Sequence, residues 1–523
     1  MQLVTLVGKK QQIMGLKKYA LWVWFSVIAF CVSAQKIVYS DPEKEDSRRL
    51  NFEIVGKIEG NFLVYKNIRN KHSIVVLDKE MQQISKEEQD YIPDDNRVIN
   101  TDFFPYQNFA YLIYQYQKKN IVYCMGVKID ASGKKISDVM ELDTTQIGLA
   151  ASNRIYTVLS SENKNEIIVF KINSKNKKLY RLTTLLFNDK LELQKKSNMT
   201  LDMDERNEYL GEFLLDNEGD LVFTKFYRGN NDNIDRISMI IKKAQSDSLM
   251  INELKIDKIY LDEVHIKVDN LGKRYLLTSF LYKQRRSNID GLYYYVWDKQ
   301  TGRALKSDTI LFSDDFRKEA RGESSVKTAF NDHFIRQVIP KRDGGFILCS
   351  ESYYTTSRYN NWNRWNYLYG SPFYTPLDYY YYSPYYSNPY WNYRYTNNQS
   401  VRYHTDNIAV FSVNSSGKLE WTNVIGKEQF DDESDDEISY NVMNTGGQLH
   451  FLFNQMEKRL NLLNDYTISP GGQLNHNPTL KNLDRGYEFM PKYAKQVSTR
   501  QMIIPCVFRN SICFALVDYS DNP

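Results

Sequence analysis

The sequence predicts an all-β chain in which a four-stranded antiparallel unit repeats about eight times and closes into a ring, a single β-propeller. Three observations predict it. After the first 34 residues helical periodicity is nearly absent, and short runs of Val, Ile, Tyr, Phe and Leu alternate with Gly, Asn and Asp. Two kinds of turn alternate along the chain, each kind recurring every roughly 50–55 residues apart from the insertions. The final unit is one strand short, and Lys36-Ile37-Val38-Tyr39 is a strand-like segment able to complete it.

In chain order, residues 1–34 read as a secretory signal. Lys17 and Lys18 precede an apolar run from Tyr19 to Cys31, and Val32-Ser33-Ala34 fits a small-residue cleavage site. The run is shorter than the roughly 20 apolar residues that a membrane span needs, so no transmembrane segment is expected in the mature chain, 35–523. Export places that chain in the periplasm, at the outer membrane or outside the cell. Residues 1–34 hold four lysines and no Asp, Glu or Arg, so their removal takes the basic residues from 68 to 64, against 64 acidic ones. A near-neutral chain lacks the basic field of a nucleic-acid binder.

The first kind of turn sits near Gly60, Asn108, Asn153, Gly219, Gly272, Gly345, Gly447 and Arg500. The second sits near Asp78, Asp130, Asn173, Asp247, Asp298, Asn414, Ser469 and Asp518. Gly and Asn recur because tight turns need positive φ, which these residues tolerate best. With the strands of a unit named a to d, the first kind joins a to b and the second joins c to d. One such sheet cannot cover both of its faces; stacking units around an axis does so, and closing the ring protects the ends. The spacing gives eight units, with seven the alternative count. A pair of β-sandwiches or an open solenoid is the competing architecture.

The best-formed stretch runs from Gln337 to Phe453. It contains Asp343-Gly344-Gly345-Phe346-Ile347-Leu348, then Asn414-Ser415-Ser416-Gly417-Lys418-Leu419-Glu420-Trp421, then Asn444-Thr445-Gly446-Gly447. These segments resemble the D-G-G-[FY] and D-x-x-G-x-[IL]-x-W turns of bacterial secreted β-propeller repeat proteins, over about two blades. The resemblance implies the fold and names no function.

Because neighbouring strands are antiparallel, the a–b and c–d turns share one face of the ring, and the b–c loops and d–a connections share the other. The elaborations fall on the second face. The largest, 353–403 within the sixth unit, is rich in Tyr, Asn and Trp, and loops of that length are usually functional or disordered. Aromatic side chains offer large contact area at low entropic cost and stack on sugar rings. Trp362, Trp365, Tyr369, Tyr385 and Trp391 are therefore the expected contacts to a protein or polysaccharide of the cell envelope. The acidic run 431–437 offers Asp431, Asp432, Asp435 and Asp436 as weak Ca²⁺ candidates, but its spacing matches no EF-hand; a solvated acidic loop is the simpler expectation, and charge complementarity with the four nearby Arg residues is a third option.

Cysteine is sparse. Cys506 and Cys513 flank the turn Arg509-Asn510 symmetrically, which would set them opposite each other in a hairpin, as a disulfide or as two buried thiols. The six His residues form no H-E-x-x-H motif, and C-x-x-C, G-x-S-x-G and the phosphate-binding G-x-x-x-x-G-K-[ST] are all absent. No cofactor is indicated. The expectation is a non-catalytic binding or scaffold propeller, with a carbohydrate-active enzyme and a subunit of an outer-membrane assembly as alternatives.

Overall fold

The computed structural model describes residues 36–42, 50–93, 97–148, 154–176, 178–203, 207–321, 330–357, 362–369, 401–432, 434–457, 460–477 and 486–520. The expected signal, 1–34, lies outside them. The described chain is nearly all β, in successive antiparallel sheets that are mostly four-stranded, and the fold is a β-propeller. The sheets occupy 50–88, 97–146, 157–202, 208–253, 260–311, 333–431, 440–476 and 487–518. The fourth and fifth are joined by one bridge between Ile234 and Leu261. Among the described residues, no helix is long and apolar enough to cross a membrane.

The first and last of the described strands meet in the last sheet. Lys36–Tyr39 pairs antiparallel with Ser511–Asp518, Lys36 opposite Asp518 and Tyr39 opposite Ala515, which is the completing strand that the sequence predicts. Apolar packing closes the same junction: Leu50, Phe52 and Phe62 share a core with Met490, Ile503 and Phe514. Other cores are likewise shared by consecutive sheets, such as Tyr111 and Val122 with Ile167 and Leu185, or Phe280 and Leu292 with Leu348 and Phe411. Burial between sheets is the dominant stabilising term, so each sheet depends on its neighbours for a core.

The c–d turns share one local chemistry. Asp78 Oδ1 accepts hydrogen bonds from the backbone N–H groups of Glu80 (2.8 Å) and Gln82 (2.9 Å). Asp130 does the same for Ser132 and Lys134, both at 2.9 Å. Asn188 does so for Lys190 (3.0 Å) and Glu192 (2.9 Å). The third residue after each Asx is left-handed: Gly133 has φ 82°, whereas Met81 and Leu191 both have φ 58°.

That detail corrects the turns of the third sheet. Its c–d turn is Asn188 to Glu192, and its a–b turn lies between Thr157–Ser160 and Glu166–Asn176. Asn173 is inside a strand, and Asn153 lies outside the described residues. Leu191 stands where a glycine would have marked the turn. Its side chain is buried among Tyr111, Phe187 and their neighbours, which offsets the left-handed backbone.

In the sixth sheet the b–c ladder continues to Ser357 and Val401, so strands run into both ends of the 353–403 insertion. Trp421 Nε1 donates to the carbonyl of Pro470 at 3.2 Å, tying this sheet to the c–d turn of the next. Cys506 and Cys513 are directly opposite, as their spacing predicts, with the buried thiols 2.9 Å apart.

Candidate functional site

The innermost strands carry charge where the alternation of a buried strand would place apolar residues. β-Bulges put it there. Register shifts fall between Gly211 and Leu214, between Leu261 and Val264, and between Ile335 and Gln337. The bulged residues include Glu212, Asp262, Glu263 and Arg336. Bulges re-aim side chains and recur beside functional sites. Glu212 is also left-handed, with φ 56°.

The re-aimed acids tie sheet to sheet. Glu212 Oε2 accepts the N–H of Ile266 at 3.1 Å, and Glu263 Oε2 accepts the N–H of Ile335 at 2.8 Å. His265 sits between them, Nε2 3.1 Å from Glu263 and Nδ1 3.5 Å from Glu212. Burial opposes its charging, but the two carboxylates outweigh burial and hold its pKa up at about 9. Fully buried Glu351 lies 3.0 Å from Arg336 Nε and 2.9 Å from Lys427 Nζ, and accepts a hydrogen bond from Ser439 Oγ at 2.6 Å. Its burial would raise its pKa; Lys427 and Arg336 hold it below the usual range.

These strands wall a cavity of about 490 Å³ on the axis. Its lining comes from the a strands of five sheets, through Leu159, Glu212, His265, Arg336 and Asn441, and from the turn Pro491–Tyr493. Asp435 and Ser439 of a d–a connection and Tyr367 of the insertion also line it, so the cavity lies toward the insertion-bearing face. A void of this size is within the usual range of small-ligand sites.

The described part of the insertion is its root, which forms the short helix Arg364–Tyr369. Arg364 is buried. Its Nε donates to Asp262 Oδ2 at 2.5 Å, its Nη1 donates to the carbonyl of His333, and its guanidinium lies 4.1 Å over the Phe334 ring. Tyr367 stacks on Tyr353 with ring centres 4.5 Å apart and accepts a hydrogen bond from Arg336 at 3.3 Å. Trp365 lies 6.0 Å from Tyr282, and Trp362 is edge-on to Phe334 at 6.0 Å. Trp362 and Trp365 are thus half-buried against the propeller. Tyr369 ends the helix, and Tyr385 and Trp391 lie outside the described residues.

The acidic run pairs with the protein's own groups. Arg402 holds Asp432 through two hydrogen bonds of 2.6 and 3.0 Å. Lys492 holds Asp435 at 2.6 Å, Tyr493 donates to Asp436 at 2.7 Å, and Asp431 accepts the N–H of Ser434 at 3.1 Å. Among the described residues no group of three or more potential ligands gathers for a metal. Instead of a solvated loop, Asp435 and Asp436 are buried, and Asp435 lines the cavity.

A second axial cluster lies on the first two sheets. Glu53 is half-buried on the innermost strand; burial pushes its pKa up to about 7 while Lys495 opposes the shift. Arg154 pairs with Asp102 at 3.1 Å beside it. None of these charged residues belongs to a sequence motif. Their signal was a phase error: Gly211-Glu212-Phe213, Leu261-Asp262-Glu263-Val264 and Ile335-Arg336-Gln337 interrupt apolar strands with charge.

No family model and no curated relative matches the sequence. Among solved structures, the chain is similar to dihydro-heme d1 dehydrogenase NirN, with 12% identity, 94% of this chain and 76% of that one covered, and a TM-score of 0.35. Prolyl oligopeptidase B from Galerina marginata gives 8% identity, 88% and 55% coverage, and a TM-score of 0.40. An apocarotenoid oxygenase from Synechocystis gives 9%, 93% and 92%, and 0.32. Likeness at this level transfers no activity to the chain.

Proposed function

We propose that this chain is an exported, non-catalytic propeller of eight blades that binds a protein or polysaccharide of the cell envelope on the face carrying the aromatic insertion. The blade count is supported by the sheets themselves: once the fourth and fifth are separated at their single bridge, seven are four-stranded and the last has its innermost position split between two short strands, and a shared core joins the first to the last. Export rests on the signal-like sequence of residues 1–34.

One observation carries the binding reading. The root of the insertion is clamped at the axial cavity through Arg364 and Tyr367, so the insertion and the cavity share a wall. The root anchors, and Tyr385 and Trp391 of the remainder are the proposed aromatic contacts to the partner. Capture from envelope extracts tests this, using the mature chain and the same chain lacking 371–399, a deletion that keeps Arg364 and the strand ladder. A partner kept by the first and lost by the second supports the reading. The same partner on both would mean that the insertion makes no contact.

A carbohydrate-active enzyme is the second reading, favoured by Glu53. A carboxyl that titrates near neutrality beside a second acid suits a general acid. It requires turnover of an envelope polysaccharide that Glu53→Gln abolishes.

A further inference from the structure

We propose that the groove between the third and fourth sheets docks an extended peptide segment of a protein partner, which adds as a strand to the free edge of the third sheet. The groove involves neither the axial cavity nor the insertion, so this inference stands apart from the binding reading above.

The outer strand of the third sheet, Leu193–Asp202, pairs with Leu179–Asn188 alone. Its other edge presents alternate N–H and C=O groups without a ladder partner, and proteins usually block such an edge with charge, a bulge or a short strand. The outer strands of the first, second and fifth sheets carry charge in mid-strand, at Lys86, at Asp143 and at Lys306 and Asp308. In the third sheet, Lys195, Lys196 and a register shift guard only the first half of the strand. Residues 197–201 are uncharged and regular in register, and among the described residues their backbone bonds only to the neighbouring strand.

That half borders a groove of about 600 Å³. Five consecutive residues, 198–202, line it, so the strand offers its edge rather than one face. The opposite wall is a sheet face: Leu249, Ile251 and Glu253 alternate along the outer strand of the fourth sheet, with Ser238 paired to Glu253 beside them. Met199 and Leu201 pack into the core shared with the fourth sheet, which fixes edge and face side by side. Ile251 is 56% exposed in that wall. An added strand would satisfy the edge with its backbone and cover Ile251 with every second side chain, which is how strand addition divides affinity from specificity. A helix keeps its backbone groups for itself and would leave the edge unmet.

Charge narrows the segment. Lys225 is held by Glu208 at 3.0 Å and donates to the carbonyl of Asp202 at 2.6 Å, which closes the available edge at that end. Asp247 is held by Lys195 at 2.9 Å, and Arg236 lies 4.5 Å over the Tyr227 ring. Asp202 and Glu253 line the groove with no ion pair among the described residues. Against Arg236 they leave one negative charge over, so a segment ending in a basic residue is favoured.

Calorimetric titration of the full mature chain with capped peptides is the test. Lys-Val-Thr-Val-Thr-Val-Lys is expected to bind, and its Glu-ended counterpart to bind roughly tenfold more weakly at low salt. N-methylation of the valines alone, or of the threonines alone, blocks one edge of the peptide; one of these two forms should lose binding and the other keep it, because an added strand pairs along a single edge. Ile251→Ser is expected to weaken binding roughly tenfold, and thermal melting of that variant separates lost binding from lost folding. Saturation with the peptide should slow hydrogen exchange at 197–201. Equal binding of both N-methylated forms overturns strand pairing, and binding with exchange at 197–201 unchanged, or unaffected by Ile251→Ser, overturns the groove. Equal binding of the Glu-ended peptide overturns the charge selection, and binding by none of the peptides overturns the inference outright.

Discussion

The two faces of the ring end their strands by opposite means. On the turn face, Asp78, Asp130 and Asn188 each satisfy two backbone N–H groups within five residues of chain, so each of these three loops is closed by a side chain of its own. On the insertion face, satisfaction is long-range: Arg364 reaches Asp262, 102 residues earlier in the chain, and Ser439 reaches Glu351 across a sheet boundary. Local chemistry can repeat and drift without consequence elsewhere. Long-range chemistry is specific to one place on the ring, and in this molecule that place adjoins the cavity.

If the comparison holds, perturbing the insertion face should cost far more than perturbing a turn. The largest effect is expected from Arg364→Ala. It leaves Asp262 buried without its cation, and breaking a buried pair of this kind costs about 3–5 kcal/mol. Chemical denaturation checks this, and Arg364→Lys should recover only part because the fork of donors is lost.

The pH dependence comes next. His265 has its pKa raised from 6.5 to about 9, so its contribution is complete below about 6.5 and is lost as pH rises through about 9, on the order of 3 kcal/mol in all. Glu53 is raised from 4.5 to about 7, so its contribution is complete below about 4.5 and is lost as pH rises through about 7, ahead of the His265 step. Buried His333 is lowered from 6.5 to about 4 by desolvation; its contribution is present above about 6.5 and is lost as pH falls through about 4. Stability measured against pH should therefore fall on both sides, with His265→Gln removing the most alkaline step.

A smaller effect belongs to the last sheet. If the chain is exported, Cys506 and Cys513 should bridge, adding about 2 kcal/mol for so short a loop. Alkylation of the unfolded, unreduced chain would then label Cys124 and Cys349 and spare this pair. The smallest effect is a turn. Asp130→Ala is expected to cost about 1 kcal/mol, and to add to Asp78→Ala without coupling, since the two turns satisfy separate backbone groups.

The same contrast explains what was legible in the sequence. Turn chemistry is written in two or three adjacent residues, so most turns could be placed from Gly, Asn and Asp alone, and Leu191 hid one because a leucine took the left-handed position. The completing strand at Lys36–Tyr39 was legible because strand count and hairpin order constrain it. The axial site was not. Bulges at Glu212, Asp262 and Arg336 change which way a side chain points, and pairing register across strands decides that. The insertion was legible by composition, and its aromatics drew attention, yet the residue that anchors it is an arginine whose partner is far away in sequence.

Hydrogen-exchange footprinting of the mature chain with and without its captured envelope partner tests the central claim most directly. Protection at 263–267, 335–338 and 439–442, with the turns at 78–82, 130–134 and 414–418 unchanged, is the predicted result. Protection confined to those turns would place the partner on the opposite face and contradict the account.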